Sequence, residues 1–318
     1  MIPQALVKKK RKTYAIGKDV KSQLELHSML LPGALLIGLF SIIPLFGLLI
    51  AFKDYNPISG ISGIFASKFN HFDNFKQLFR SYQFWPMIRN TLGINLIGQL
   101  VTIPVTLMFA LLLNELTHIR FRSFVQTVTY LPHFLSWVIY GGLCINLLTT
   151  DNGVINNILL SVGVIQKPIS FMGDPSYFWG VAIITALCKE IGWGAILYLA
   201  AMAGIDQAMY EAATIDGAGR FKKMWYVTLP SILPTVMIML IFAISGMLNN
   251  NFTQIYVFQN ALNQEMSQVI DTYVYQIGLQ QFQFDVATAT TLMKSIFALM
   301  LLVMANFASN KLTETGLF

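Results

Sequence analysis

The chain has 318 residues, of which 55% are hydrophobic and 11% charged, with a mean hydropathy of +0.60. A soluble domain carries about a quarter charged residues, so this composition excludes an ordinary soluble enzyme or binding module. The net charge of +6 lies mostly in segments flanking apolar runs, where it fits membrane topology and gives no reason to expect nucleic acid.

Segment 1–28 reads as a polar, partly helical tail whose Lys8–Lys12 run suits anionic lipid headgroups. Charge-free runs then extend from Met29 to Phe52, Asn90 to Asn114, Ser123 to Thr150 and Met224 to Gln264. Each exceeds the roughly 20 residues that cross a bilayer. Two further apolar stretches, about 177–202 and 286–309, are interrupted only by Lys189, Glu190 and Lys294. The expectation is an all-α membrane bundle of six spans, near 29–52, 89–114, 122–148, 177–202, 231–250 and 286–309, within one transmembrane domain over 29–318. The first run is too long for a signal-peptide core and reads as an uncleaved helix.

Between spans, Phe72, Phe75, Leu78 and Phe79 fall at helical spacing and predict a short interfacial helix. Asp151-Asn152-Gly153 and Gly173-Asp174-Pro175 bound the loop 149–176. Cys144 and Cys188 both fall inside spans and read as small buried hydrophobes.

Lys and Arg placement sets the orientation. With the N-terminus inside, alternate segments put 13 basic residues inside and six outside, so both termini are expected in the cytoplasm. The first outer loop, with Lys53, Lys68, Lys76, Arg80 and Arg89, runs against the rule.

The inner loop 203–230 is a charged, amphipathic segment between long apolar ones. Asp206 is placed to cap a helix carrying Glu211, Ala212 and Ala213, and Asp216-Gly217 is a turn pair whose Asp can cap a second helix. In that second helix Phe221, Met224, Trp225 and Thr228 share one face, Leu229-Pro230 ends it, and Pro234 sits in the first turn of span 5. The product is a bent arm projecting into the cytoplasm.

Glu211-Ala212-Ala213, Asp216-Gly217-Ala218 and Leu229-Pro230 with Pro234 fill all nine positions of a pattern that resembles the EAA loop of ABC importer permeases. That resemblance implies docking of Glu211 to Ala218 in a cleft of an ATP-hydrolysing subunit. The chain has no G-x-x-x-x-G-K-[ST] loop. ATP and Mg are accordingly expected on two partner ATPase subunits, and no cofactor on this chain. Arg89-Asn90-Thr91-Leu92, Tyr130 to Val138 (YLPHFLSWV), Asp271 to Leu279 and the closing Gly316-Leu317-Phe318 are similar to the lipoprotein-polysaccharide branch of the maltose-type (MetI-like) permeases. The implied protein is a multi-pass, non-catalytic permease in the cytoplasmic membrane that imports oligosaccharides. Implied partners are a homologous second permease and an extracytoplasmic sugar-binding protein. A polyol or glycerol phosphate cargo, or an ion-coupled carrier, are the competing readings.

Asn249, Asn250 and Asn251, with Phe252 and Tyr256, combine amides for sugar hydroxyls with aromatic faces for pyranose rings; equally, the asparagines suit the C-terminus of span 5. Lys189 and Lys294 lie deep in spans, where a Lys costs about 2.5–3.5 kcal/mol and needs a partner or water. They either line the path, where they would suit a uronate oligomer, or pair with Glu190. His133 reads as packed or hydrogen-bonded. No metal-ligand cluster or paired catalytic carboxylates occur in the sequence.

Overall fold

The computed structural model describes residues 16–313; the Lys8–Lys12 run and the closing Gly316-Leu317-Phe318 lie outside the described residues. In chain order the α-helices are α1 (Ile16–Ile37), α2 (Gly60–Ala66), α3 (Asp73–Arg80), α4 (Phe84–Asn114), α5 (Ile119–Tyr130), α6 (Trp137–Leu148), α7 (Val154–Ser161), α8 (Phe178–Ala203), α9 (Gln207–Ile215), α10 (Arg220–Lys223), α11 (Leu229–Ser245), α12 (Phe252–Phe258), α13 (Gln264–Ser267), α14 (Ile270–Tyr275) and α15 (Phe284–Thr313). Among the described residues the only bridge is an isolated one between Lys53 and Phe69.

Five helical stretches are long and apolar enough to cross a membrane: Gln23–Phe52, Phe84–Asn114, Pro175–Ala203, Arg220–Ser245 and Phe284–Met304. The third expected span is broken. Ile119–Phe134 and Trp137–Leu148 meet at 106° instead of continuing as one helix. Pro132 removes a backbone donor, the chain tightens into a 3₁₀ turn over Leu131–Phe134, and Ser136 opens α6 by accepting a hydrogen bond from the Ile139 N–H.

The fifth span also departs from expectation. Leu229-Pro230 does not end a helix: α10 passes through a π turn, Met224–Thr228, directly into α11. Span 1 repeats the device, with a π turn at Gly38–Ile42. Each π turn ends two residues before a proline, Pro44 or Pro230. Proline clashes with the carbonyl four residues back, and one widened turn redirects that carbonyl without breaking the helix. Pro234 lies inside α11, past its first turn. The widened turn also rotates the arm residues, so Met224 and Thr228 are buried while Phe221 and Trp225 are exposed. The single face expected for those four is thereby split.

The centre of the bundle is the α4–α8 pair, with α11 against its lower half through Leu111, Tyr198, Met202, Ile232 and Val236. At Gly192 of α8 an added Cβ would sit 2.4 Å from the Thr129 carbonyl oxygen, so only glycine lets α5 approach this closely. Span 1 is peripheral: only Ala51 in its last turns is buried, and Leu30, Leu35 and Phe40 are exposed. Exposed apolar side chains suit lipid, the solvent of such a helix. Cys144 is buried as expected, but Cys188 is exposed, because it lies on an outward face of α8.

The end opposite the 203–230 arm carries α2, α3, α7 and α12 to α14. The fully buried Asn90 donates to the Glu265 and Gln268 carbonyls, both at 2.9 Å; the Thr91 hydroxyl accepts from the Ile270 N–H at 3.0 Å. Arg89 adds a bond to the Glu265 carbonyl. These residues, noted in the sequence as a motif, pin the 264–270 segment to the top of α4.

Candidate functional site: two ends of a transport path

The arm follows local chemistry closely. Asp206 caps α9 by accepting from the Ala208 N–H at 3.0 Å, and Gly217 adopts φ +76°, open to glycine at little cost. Asp216 does not cap the next helix as expected; it ends α9, and Gly219 opens α10 with no side-chain cap. Glu211, Ala212, Asp216 and Gly217 are exposed, and Ala213 and Ala218 half-buried. Sequence reasoning missed the arm's bare apolar groups: Ile215 is 87% exposed and Phe221 76%. Ile205, Tyr210 and Met224 pack the arm against the core, and two hydrogen bonds add to that hold. Tyr210 and Thr228 share a 2.9 Å hydroxyl–hydroxyl hydrogen bond, and Arg220 donates to the Glu115 carbonyl oxygen at 3.4 Å.

At mid-bundle the charged residues sort into two groups. Lys189, 3% exposed, donates to the carbonyls of Pro132 and His133 at 2.9 and 2.7 Å and lies 3.6 Å from a Glu190 oxygen. Its ammonium thus binds two carbonyls at the break in the span, adding to the Leu135 N–H that the Pro132 carbonyl already accepts. His133 donates to the second Glu190 oxygen at 2.6 Å and stacks on Trp193 at 4.2 Å, so it is both hydrogen-bonded and packed. Lys294 does not meet Glu190; it donates to Asp271 of α14 at 2.6 Å. Packing of α14 on α15 supplies that partner, and no spacing in the sequence announces it.

Span 5 ends at Ser245, so the three asparagines lie beyond it in a connector. Asn251 caps the start of α12, accepting from the Gln254 N–H at 3.1 Å, rather than closing the helix before it. Asn249 and Asn250 line a cavity of about 600 Å³ with Phe252, Asp271, Tyr275 and Lys294. Phe252, Tyr256 and Tyr275 form one aromatic cluster, with ring centroids 5.2–5.4 Å apart. Tyr275 pushes the Tyr256 phenol above its ordinary pKa, first by hydrogen bonding and then by charge. A second cavity, about 260 Å³, shares Asn249 and Asn250 with the first and adds Asn251, Asn95 and Gln99. A third, about 340 Å³, shares Gln99, Thr102 and Glu190 with the second and continues down α8 and α11. The second and third lie against α4 and α8, and the first adjoins them between α12, α14 and α15; their walls are more apolar than polar, with these polar groups set into them. Lys189 lines none of them.

Residues 102–313 match the family described as binding-protein-dependent transport system inner membrane component. The chain belongs to this family. It is a multi-pass inner-membrane permease of an ABC transporter, as the arm motif led one to expect. It is 41% identical over 293 residues to Protein LplB of Bacillus subtilis (strain 168), covering 92% of this chain and 91% of that one. It is 38% identical over 314 residues to the polygalacturonan/rhamnogalacturonan transport system permease protein YteP of the same organism, covering 99% and 96%. The permease also superposes, with a TM-score of 0.85 and 35% identity, on a chain of a bacterial ABC transporter involved in the import of the acidic polysaccharide alginate; the match covers 94% of this chain and 99% of that one. The lipoprotein-polysaccharide resemblance is therefore borne out.

Proposed function

We propose that this permease forms one half of an oligosaccharide import path, with a homologous second permease as the other half. The open side of the cavity series favours this reading, since a continuous path needs a second wall. Two ATPase subunits beneath it hold ATP and Mg and do the hydrolysis, and this chain is non-catalytic. An extracytoplasmic sugar-binding protein delivers cargo, and both termini lie in the cytoplasm. Sugar as cargo is supported by the cargoes named for YteP and for the alginate transporter, and by the cavity itself, where amides and aromatic rings converge in a volume within the usual range for ligand pockets, about 300–1,000 Å³.

The observation that carries the proposal is the arm. Ile215 and Phe221 stand bare beside Glu211 on a segment tied to span 5 by the Tyr210–Thr228 bond, a surface that requires a groove to cover it. Glu211, Ala212, Ala213, Asp216, Gly217 and Ala218 enter that groove. Leu229 and Pro230 pass its motion into α11 through the π turn.

The assembled importer in proteoliposomes tests this. Glu211→Lys abolishes sugar-stimulated ATP hydrolysis and uptake while the complex still reaches the membrane. Wild-type stimulation in that variant would refute the docking assignment.

A further inference from the structure

We infer that the cavity between α12, α14 and α15 selects acidic sugars, with Lys294 recognising a uronate carboxylate, Asp271 orienting that lysine when the site is empty, and the Asn250 side-chain oxygen accepting a hydrogen bond from a sugar hydroxyl. This rests on the proposed oligosaccharide path and names the cargo class of its widest hollow.

Three observations converge on one wall. First, the two membrane lysines are chemically different. Lys189 spends two of its three protons on backbone carbonyls and is sealed from the cavities. Lys294 makes one hydrogen bond, to Asp271, and its side chain keeps 15% exposure on the cavity wall. An ammonium has three donors, so two remain for a ligand. A carboxylate is the acceptor that gains most from them, because charge-assisted bonds are about twice as strong as neutral ones.

Second, Asn250 presents a buried side-chain oxygen with no hydrogen-bond partner. A buried acceptor left unpaired costs about 1–3 kcal/mol, and because Asn250 lines the cavity, a turn of its side chain brings that oxygen to a donor arriving with the cargo. A sugar hydroxyl is such a donor. Third, Phe252 and Tyr275 give the same hollow an aromatic face.

Asp271 has a defined part in this arrangement. An ammonium within a span needs a partner or water. The 2.6 Å bond to Asp271 holds the Lys294 ammonium on the cavity wall in the empty state, and the partly exposed Asp271 oxygens accept cargo hydroxyls once a uronate arrives. A neutral sugar gains the aromatic face and the amides but leaves the two lysine protons unused.

The test compares oligogalacturonides with their fully methyl-esterified counterparts, which lose the charge and gain only methyl groups, in the reconstituted importer. Lys294→Gln lowers uptake of the acid by about tenfold or more and leaves the ester nearly unchanged. Because removing one member of a buried pair can itself impair folding, the double variant Lys294→Met with Asp271→Met is measured too; replacing both charges restores packing. That variant folds, imports the ester and loses the acid. Equal loss of acid and ester in the double variant overturns the inference while leaving sugar import standing. Wild-type import of neither probe, with ATP hydrolysis intact, overturns the sugar reading and the inference together.

Discussion

Lys189 and Pro132 face each other across the α5–α8 contact, the ammonium 2.9 Å from the proline carbonyl, and this pairing holds span 3 in its broken form. A second bond, to His133, caps the neighbouring carbonyl.

Lys189→Met therefore leaves the His133 carbonyl without this donor and takes a charged partner from the Pro132 carbonyl and Glu190, which keep only the Leu135 N–H and His133. Its expected cost is about 3 kcal/mol, read as a lowered melting temperature of the purified complex in detergent. An unchanged melting temperature with lost uptake would place Lys189 on the transport path instead.

Gly217 is the hinge of the arm. A valine at φ +76° is strained by about 1–2 kcal/mol or more, and it misdirects α10. Gly217→Val should retain normal membrane levels yet lose most sugar-stimulated ATP hydrolysis. Gly217→Asn, whose side chain tolerates that region, should keep much more of it. Equal activity in the two variants would show that the turn geometry does not matter.

The Tyr210–Thr228 bond joins α9 to the base of span 5. Tyr210→Phe removes one hydroxyl and should cost about 0.5–1.5 kcal/mol of local stability. Amide hydrogen exchange over residues 207–215 should quicken, while exchange in α4 and α8 stays as it was. Uniform quickening across the bundle would mean the bond supports the whole fold and not the arm.

Asn90 anchors the opposite end. Asn90→Leu leaves the Gln268 carbonyl without its side-chain donor and the Glu265 carbonyl with Arg89 alone, an expected loss of about 1–3 kcal/mol. Limited proteolysis of the complex should then cut within 259–270 first. Resistance equal to wild type at that segment would assign its order to Thr91 and Trp179, which bind the Ile270 N–H and the Met266 carbonyl.

Span 3 shows why periodicity alone misses a break. Its residues 123–150 are uniformly uncharged, so hydropathy joins them, and the one local signal is Pro132 in the YLPHFLSWV stretch. A proline is tolerated in many spans; here it becomes a 106° bend only because Lys189 from another helix satisfies the carbonyls that are freed.

The existence and number of apolar segments, the Asp206 cap and the Gly217 turn were all determined by the sequence itself, because bilayer thickness, side-chain capping and glycine's access to positive φ act within a few neighbouring residues. Partner choice was decided by tertiary structure. Lys294 joins Asp271, 23 residues away, rather than Glu190. Asn251 caps the helix ahead of it rather than the one behind. Such choices depend on which surfaces pack together across the bundle, and packing brings together groups whose separation in the chain carries no record of the contact.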